Sequence, residues 1–458
     1  MRCRIVSSKE VYKEGRFDGS YHNAESIVYD NVIKAHSSHN LAFYCSDIFT
    51  SGRNKRAYTT SEYGYPFLSN SDASSLNPFY SCKYTSKKYG FDERSLLKEG
   101  MILTGRVGAI GQTSFVPKYW EDMKAIGSDN IIRIQIKPEY KNGLIYAYLA
   151  SRIGNLSFWK YATGGVQPFI SDAMVGQLPI PDFSTNLEES VNSKIHTSAS
   201  LRGEAAKYIN DAIECLDSHV GMHFEKHYRK SQKVSICDVM QSLQHRIDPP
   251  ALINDGVYSM SDLVNNHTTH QIGRIDGVRV YRPGIFKRNY VENGIPYIKG
   301  SEVFLTSPFR KCEQLSRTRT PFIDEMSLKE GQVLITCAGS VGDIRIITKE
   351  YEEKKAIGSQ DIIRLESTNS LFTREYLFVY LQLPFVYDYI QSMKYGSVIE
   401  RIEPFHVESI PVYVPSEELS QKITSSVKKY MECLNKAFRL EEEALVMIEE
   451  QVNIWKNE

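Results

Sequence analysis

Apolar residues along the chain follow two different periods. MILT at 101–104 and VLIT at 333–336 are short β-type runs that end in glycine-bearing turns, and IIRI at 131–134 and IIRL at 362–365 read as strands buried on at least one face. Elsewhere the period becomes helical. In the segment 185–220, Leu187, Val191, Ile195, Ala205, Tyr208, Ala212, Leu216 and Val220 fall on one stripe, behind a capping box of Thr185 and Glu188. From Ser416, a good N-cap, a second stripe runs through Val427, Met431, Leu434, Phe438, Leu445, Ile448, Val452 and Trp455 at three- and four-residue steps. Each stripe is too narrow to be buried all round, and one helix can cover the other. The pattern predicts two helices of roughly 35 to 40 residues, on the order of 55 to 60 Å long, packed antiparallel as a spacer. Tyr146, Tyr148, Tyr376 and Tyr380 lie in further helix-like segments and are expected in the core, not as platforms for stacked bases.

The strand signals are duplicated. AIGSDNIIRI at 125–134 returns as AIGSQDIIRL at 356–365, and LLKEGMILTGRVGAIG at 96–111 returns as SLKEGQVLITCAGSVG at 327–342. RFD at 16–18 matches RID at 246–248, GYPF at 64–67 matches GIPY at 294–297, Gly164 matches Gly396, and LPI at 178–180 matches IPV at 410–412. A shift held between 230 and 232 residues over so long a span means duplication of a whole domain. The matched positions are mostly Gly, Pro, Ile, Leu and Val, which set turns and fill cores. The basic, aromatic and Asn/Ser-rich stretches between them, 19–63 against 249–293 and 71–95 against 301–326, scarcely match. One frame with two different surfaces should bind two different things.

Composition sets the class. The 458 residues suffice for two to four domains, and 41% hydrophobic with 24% charged residues indicates a globular chain. The start, MRCRIVSSKE, leads into no apolar stretch of signal-peptide length, and no run approaches the roughly 18 apolar residues of a membrane span, so a cytoplasmic protein is expected. Eight scattered cysteines include no CxxC pair, which fits reduced thiols and no structural metal. The formal net charge of zero conceals an uneven distribution. Residues 51–118 carry ten Lys/Arg against five acids, a net of +5, and 271–320 carry ten against four, a net of +6. The stretch 416–458 has nine Glu against six Lys/Arg, a net of −3.

The order domain, long helix, domain, long helix, with an apolar-Pro-apolar exit (LPIP, IPVYVP) before each helix, resembles the specificity subunit of type I restriction-modification systems. The resemblance spans essentially the whole chain. It implies an α+β protein in which two duplicated α/β target-recognition domains, 1–184 and 231–415, are separated by two long antiparallel helices, 185–230 and 416–458, with pseudo-twofold symmetry. Each domain would read one half of a split, asymmetric site in double-stranded DNA. The helices would fix the gap and dock methyltransferase subunits, expected to be two, with restriction/translocase subunits joining them. No cofactor is expected on this chain, because AdoMet, Mg²⁺ and ATP belong to the partner subunits. GGVQPFI at 164–170 carries Gln167, a candidate DNA contact that the second copy replaces with Ile399.

Charge supports the same role independently. A basic surface gains affinity by releasing phosphate counterions, and Arg, Asn and Gln read base edges. The candidate contacts are Arg53, Lys55, Arg56, Lys87, Lys88 and Arg106 in the first copy, and Arg282, Lys287, Arg288, Lys299, Arg317 and Arg319 in the second. Catalysis finds little support. NPFY at 77–80 and DPPA at 248–251 look like damaged versions of the Asp/Asn-Pro-Pro-aromatic loop of amino-methyltransferases, with Phe79 in place of proline and Ala251 in place of the stacking aromatic. Turn chemistry accounts for both. GRVGAIG at 105–111 lacks the Lys-Ser/Thr of a phosphate loop, and the eleven histidines form no HExxH. The chain is therefore expected to be non-catalytic. The competing readings are a related restriction or modification enzyme with a divergent loop at NPFY, and an adaptor whose domains bind protein.

Overall fold

A computed structural model describes residues 5–17, 19, 21–22, 24–53, 55–80, 82–89, 92–164, 167–221, 235–241, 244–310 and 312–458. They form two compact units: Met1–Gly203 together with Lys436–Glu458, and Glu204–Asn435. Unit 1 is built on an antiparallel sheet of β1 (Cys45–Phe49), β2 (Ile102–Gly105), β3 (Thr113–Phe115) and β4 (Ile131–Ile136), in the order β1-β4-β2-β3. Unit 2 has β5 (Val278–Tyr281), β6 (Val333–Thr336), β7 (Ile344–Ile346) and β8 (Ile362–Ser367), in the order β5-β8-β6-β7. Even the registers coincide. Ile102 faces Ile134 and Val333 faces Leu365; Thr104 faces Ile132 and Ile335 faces Ile363. The β-branched residues of these runs are buried on a pleated surface, so they favour this state over a helix.

A second sheet is also repeated. In unit 1, Lys83–Ser86 lies between Tyr58–Thr59 and Gly64–Leu68, and Gly64–Leu68 pairs in parallel with Ile126–Gly127, Phe67 against Ile126. In unit 2, Tyr290–Ile298 lies between Glu313–Leu315 and Ile357–Gly358, Tyr297 against Ile357. The glycine turns after β2 and β6 require left-handed backbone at Gly108 and Gly111 (φ 75° and 70°) and again at Gly339 and Gly342 (77° and 89°). They are turns in both copies.

The near-identical ten-residue stretches have a physical cause. Arg133 and Arg364, the only charged residues of IIRI and IIRL, are fully buried. Arg133 Nη1 donates to the carbonyls of Ser128 (3.2 Å) and Ile131 (2.8 Å), and its Nη2 to those of Ser95 (3.3 Å) and Gly127. Arg364 does the same to Ser359 (3.3 Å), Ile362 (2.8 Å), Met326 (3.3 Å) and Gly358 (2.9 Å), every partner displaced by the same 231 residues. Burial pulls both guanidinium groups down to about 10. A Cβ on Gly127 would stand 2.8 Å from Arg133 Nη2, so the glycine makes room for the side chain that clamps its own turn. The stretch recurs because it is a complete device: turn, glycine gap, strand and buried clamp.

The two long helices are α1 (Thr185–Val220) and α2 (Glu417–Asn457), about 54 and 62 Å long at 1.5 Å per residue. Ser416 caps α2 by accepting from Leu419 N (3.2 Å). The expected box at Thr185 is displaced: Thr185 is the first helical residue, and Ser184 precedes it with its carbonyl on Glu188 N (3.0 Å). Within unit 1 the helices run antiparallel, with Phe183 stacked on Trp455, Lys194 paired with Glu443, and Ser198 Oγ donating to Ala437 O (2.8 Å). Within unit 2, Lys429 Nζ lies 5.6 Å over the Tyr208 ring. Both predicted stripes are the buried faces, from Val191 and Ile195 through Leu216 and from Val427 through Val452. Gly221, at φ 64°, ends α1; residues 222–230 of the expected spacer lie outside the described residues, as does Asp18 of the RFD motif. Tyr146, Tyr148, Tyr376 and Tyr380 are buried, as expected. Among the described residues, no helix is long and apolar enough to cross a membrane.

Candidate nucleic-acid interface

Most of the candidate contacts gather on the second sheet of each unit. In unit 1, Arg53 and Arg56 precede the strand Tyr58–Thr59, and Lys87 and Lys88 follow the strand paired with it. One carboxylate collects both arginines: Arg56 Nη2 is 2.5 Å from Asp129 Oδ1 and Arg53 Nε 3.3 Å from Asp129 Oδ2. Arg56 also lies over the Phe67 ring at 4.8 Å. Lys87 Nζ donates to Glu62 O (3.1 Å) and sits 5.5 Å over Tyr65. Lys55, Lys87 and Lys88 are exposed. Aromatic faces beneath the cations hold them outward at little cost in rotamer freedom.

Unit 2 uses different residues in the same place. Arg288 Nε donates to Tyr297 Oη (2.9 Å), and its Nη2 lies 3.6 Å from Asp361 Oδ2. The Asn289 side-chain amide donates to the carbonyls of Lys287 (3.3 Å) and Arg319 (3.4 Å), which draws these exposed residues together next to exposed Arg317. Lys299 Nζ pairs with Glu313 at 2.7 Å across neighbouring strands.

The remaining candidates lie beside a tight hairpin that bridges the residues just after an inner strand of each first sheet, β2 or β6. In unit 1, Phe169 bridges both Val107 and Thr163, Gly164 turns at φ 94°, and Gln167 is exposed. Arg106 is half-buried over Phe169 at 5.0 Å. In unit 2, Arg401 bridges Ala338 and Tyr395, with Gly396 at φ 102°. Arg282 approaches Cys337, the residue aligned with Arg106, and pairs with Glu403 at 3.2 Å. Ile399, which replaces Gln167, is 55% exposed beside Val398 at 93%, so the second hairpin offers an apolar tip where the first offers an amide.

Sequence reasoning missed Asp129 and Asp361. Counting net charge treats an acid as a subtraction, whereas here Asp129 pairs with Arg53 and Arg56, and Asp361 with Arg288. The available signal was their position on the repeated AIGS turn. At the suspected catalytic loop, the Phe79 ring packs edge-on against Tyr119 (5.9 Å) and Trp120 (6.3 Å) as part of the core, and Ala251 is buried. Asp248 is held by Arg246 through two contacts of 2.8 and 2.6 Å. NPFY lies in a turn as expected, whereas DPPA opens a short helix, Pro249–Ile253, with Asp248 at its N-cap position.

The chain is thus an internally duplicated α/β protein with long helices and unlike basic loops. Residues 280–444 match the family model described as the type I restriction modification DNA specificity domain. That match covers 165 of the 458 residues. Solved structures similar to it include the S subunit of a type I restriction-modification system from M. genitalium, 12% identical over 91% of this chain and 94% of that one, TM-score 0.31. The HsdS subunit from Thermoanaerobacter tengcongensis is 13% identical over 90% of this chain and 95% of that one, TM-score 0.28. The type IIG restriction endonuclease BpuSI is similar over 42% of this chain and 30% of its own, 11% identical, TM-score 0.30. No curated protein matches.

Proposed function

We propose that the chain is the DNA-binding specificity subunit of a type I restriction-modification complex, each unit reading one half of a bipartite, asymmetric site. One observation carries this reading: a single frame, repeated to the register, displays two different basic faces, each backed by aromatic rings. The surface lysines and arginines position the protein on phosphate, and the arginines with Gln167 read base edges, where a good bidentate pair contributes about 1 to 3 kcal/mol of discrimination. The two helices set the gap and dock two methyltransferase subunits, which restriction/translocase subunits join. The chain itself is non-catalytic; AdoMet, Mg²⁺ and ATP sit on the partners.

Exchange of residues 1–185 for the first unit of another family member tests the reading by methylation mapping in the host. One half of the methylated sequence should change, and a change in both halves or in neither would refute modular recognition. Lengthening both helices should alter the gap and leave the bases. Binding should weaken by about 10³ to 10⁵ between 50 and 200 mM salt if six to ten phosphates are contacted. Methyl transfer by the purified chain alone, abolished by Asn77→Ala, would make the chain an enzyme instead.

A further inference from the structure

The arginine, ring and acid described above form the same constellation in both units, although the loops that supply the arginines do not match in sequence. Tyr297 occupies the repeat position of Phe67, and Arg288 lies 5.7 Å over its ring as Arg56 lies over Phe67 at 4.8 Å. The acid comes from the AIGS turn each time, but from different positions: Asp129 aligns with Gln360, and Asp361 with Asn130. The same contact is thus made from non-equivalent positions in the two units. The turn that bears the acid is itself clamped, through Ser128 O or Ser359 O, by the buried arginine.

Such pairs do little for stability. Arg53 is 81% exposed, and Arg288 and Asp361 are 34% and 47% exposed, where solvent leaves an ion pair little net effect on folding. What they do is immobilise a flexible guanidinium before it meets a ligand. Guanidinium carries five N–H donors in a planar fork, so an arginine engaged by a carboxylate at one edge keeps other donors for a second acceptor pair, and O6 with N7 of guanine is the base edge that matches a fork.

We infer that Asp129 and Asp361 are specificity-positioning residues, Asp129 orienting Arg53 and Arg56 and Asp361 orienting Arg288, so that the remaining N–H groups meet a guanine edge in one half-site. The inference rests on the DNA-reading function proposed above. It assigns the acids a role distinct from reducing phosphate affinity: they narrow which bases are accepted.

The test uses the full chain assembled with its methyltransferase partners and a randomised double-stranded oligonucleotide library, with bound sequences read out. Wild-type protein that selects no bipartite sequence would refute the proposed function itself, before any variant is made. Given a wild-type site, Asp129→Asn should lower discrimination at a guanine-containing pair of one half-site by roughly ten-fold or more and leave the other half unchanged, and Asp361→Asn should do the reverse. Arg56→Lys, which keeps the charge and loses the fork, should relax the same half-site as Asp129→Asn, and it carries the test if thermal melting shows the aspartate variant misfolded. Unchanged selectivity in these variants, or tighter binding to all sequences alike, would overturn the inference.

Discussion

Where the long helices meet the rest of each unit, units 1 and 2 fill corresponding positions with opposite chemistry. In unit 1, Tyr146 Oη donates to Glu441 Oε1 (2.8 Å), and the Arg202 guanidinium donates to Glu441 Oε2, with the Glu441 side chain only 3% exposed. In unit 2, Tyr146 aligns with Phe378 and, by the shift of 228 that matches Glu189, Lys194 and Ile195 of the first long helix to Glu417, Lys422 and Ile423 of the second, Arg202 aligns with Tyr430; the Phe378 and Tyr430 rings stack at 6.0 Å. A second buried pair, Lys160 with Asp30 at 2.5 Å, joins two helices of unit 1; the helix Asp255–Asn266 of unit 2 buries Val257, Met260 and Leu263 instead. The buried arginine clamp of the sheets, by contrast, is the same in both. A buried ion pair rarely adds stability over apolar packing, yet it accepts few alternative partners. The clamp therefore belongs to the frame, and the helix contacts distinguish one copy from the other.

The largest effect is expected where the units agree. Arg133→Met or Arg364→Met strands several buried carbonyls, each costing roughly 1 to 3 kcal/mol, so denaturant unfolding should show a loss of about 4 kcal/mol or more. The two losses should be similar; a small effect at one site alone would break the equivalence of the clamps. Next comes the helix contact of unit 1. Glu441→Leu leaves Arg202 without its carboxylate and should cost about 3 to 5 kcal/mol, whereas Tyr146→Phe, Arg202→Tyr and Glu441→Leu combined, which imports the chemistry of unit 2, should recover most of it. A triple variant no more stable than the single one would show that the two packings are not interchangeable.

Acid gives the smallest effect and should reach both units. His196 lies 2.8 Å from Asn142 Oδ1, and burial holds its pKa below the usual histidine value against the opposing pull of Glu99. His406 Nδ1 accepts from Glu403 N (3.0 Å), and burial, followed by the Arg246 charge, lowers it likewise. A lowered folded pKa means that the unfolded chain takes up protons first as pH falls. The stabilisation is present above about 6.5 and is lost from there down to the lowered folded value. Melting temperature should fall between about pH 7.5 and 5.5. His196→Gln and His406→Gln should each flatten part of that slope, and an unchanged slope in both would exclude these two groups as its source.

Much of this fold was legible because its signals are local. Periodicity located β2, β4, β6 and β8 and both helix stripes, and the constant shift disclosed the duplication. The clamp itself was hidden: IIRI reads as an apolar strand, and nothing local says that its arginine turns inward, since only the surrounding carbonyls make that tolerable. The start of α1 was off by one residue: Thr185 is already helical, which puts Ser184 at the N-cap position. At the candidate interface, composition found the cations, but the pairing of Arg53 and Arg56 on one acid more than seventy residues away needed three dimensions.

Unit 2 is a single stretch of chain, but unit 1 is assembled from two. Unit 1 draws Ala444, Leu445, Ile448 and Val452 of its core from a segment translated long after residue 203. On the ribosome the first-made unit must therefore wait for the last-made helix, exposing Val191, Ile195 and Ala199 until α2 emerges to seal them. A chain cut after Asn435 should accordingly injure the unit that was synthesised first, and spare the one adjoining the break.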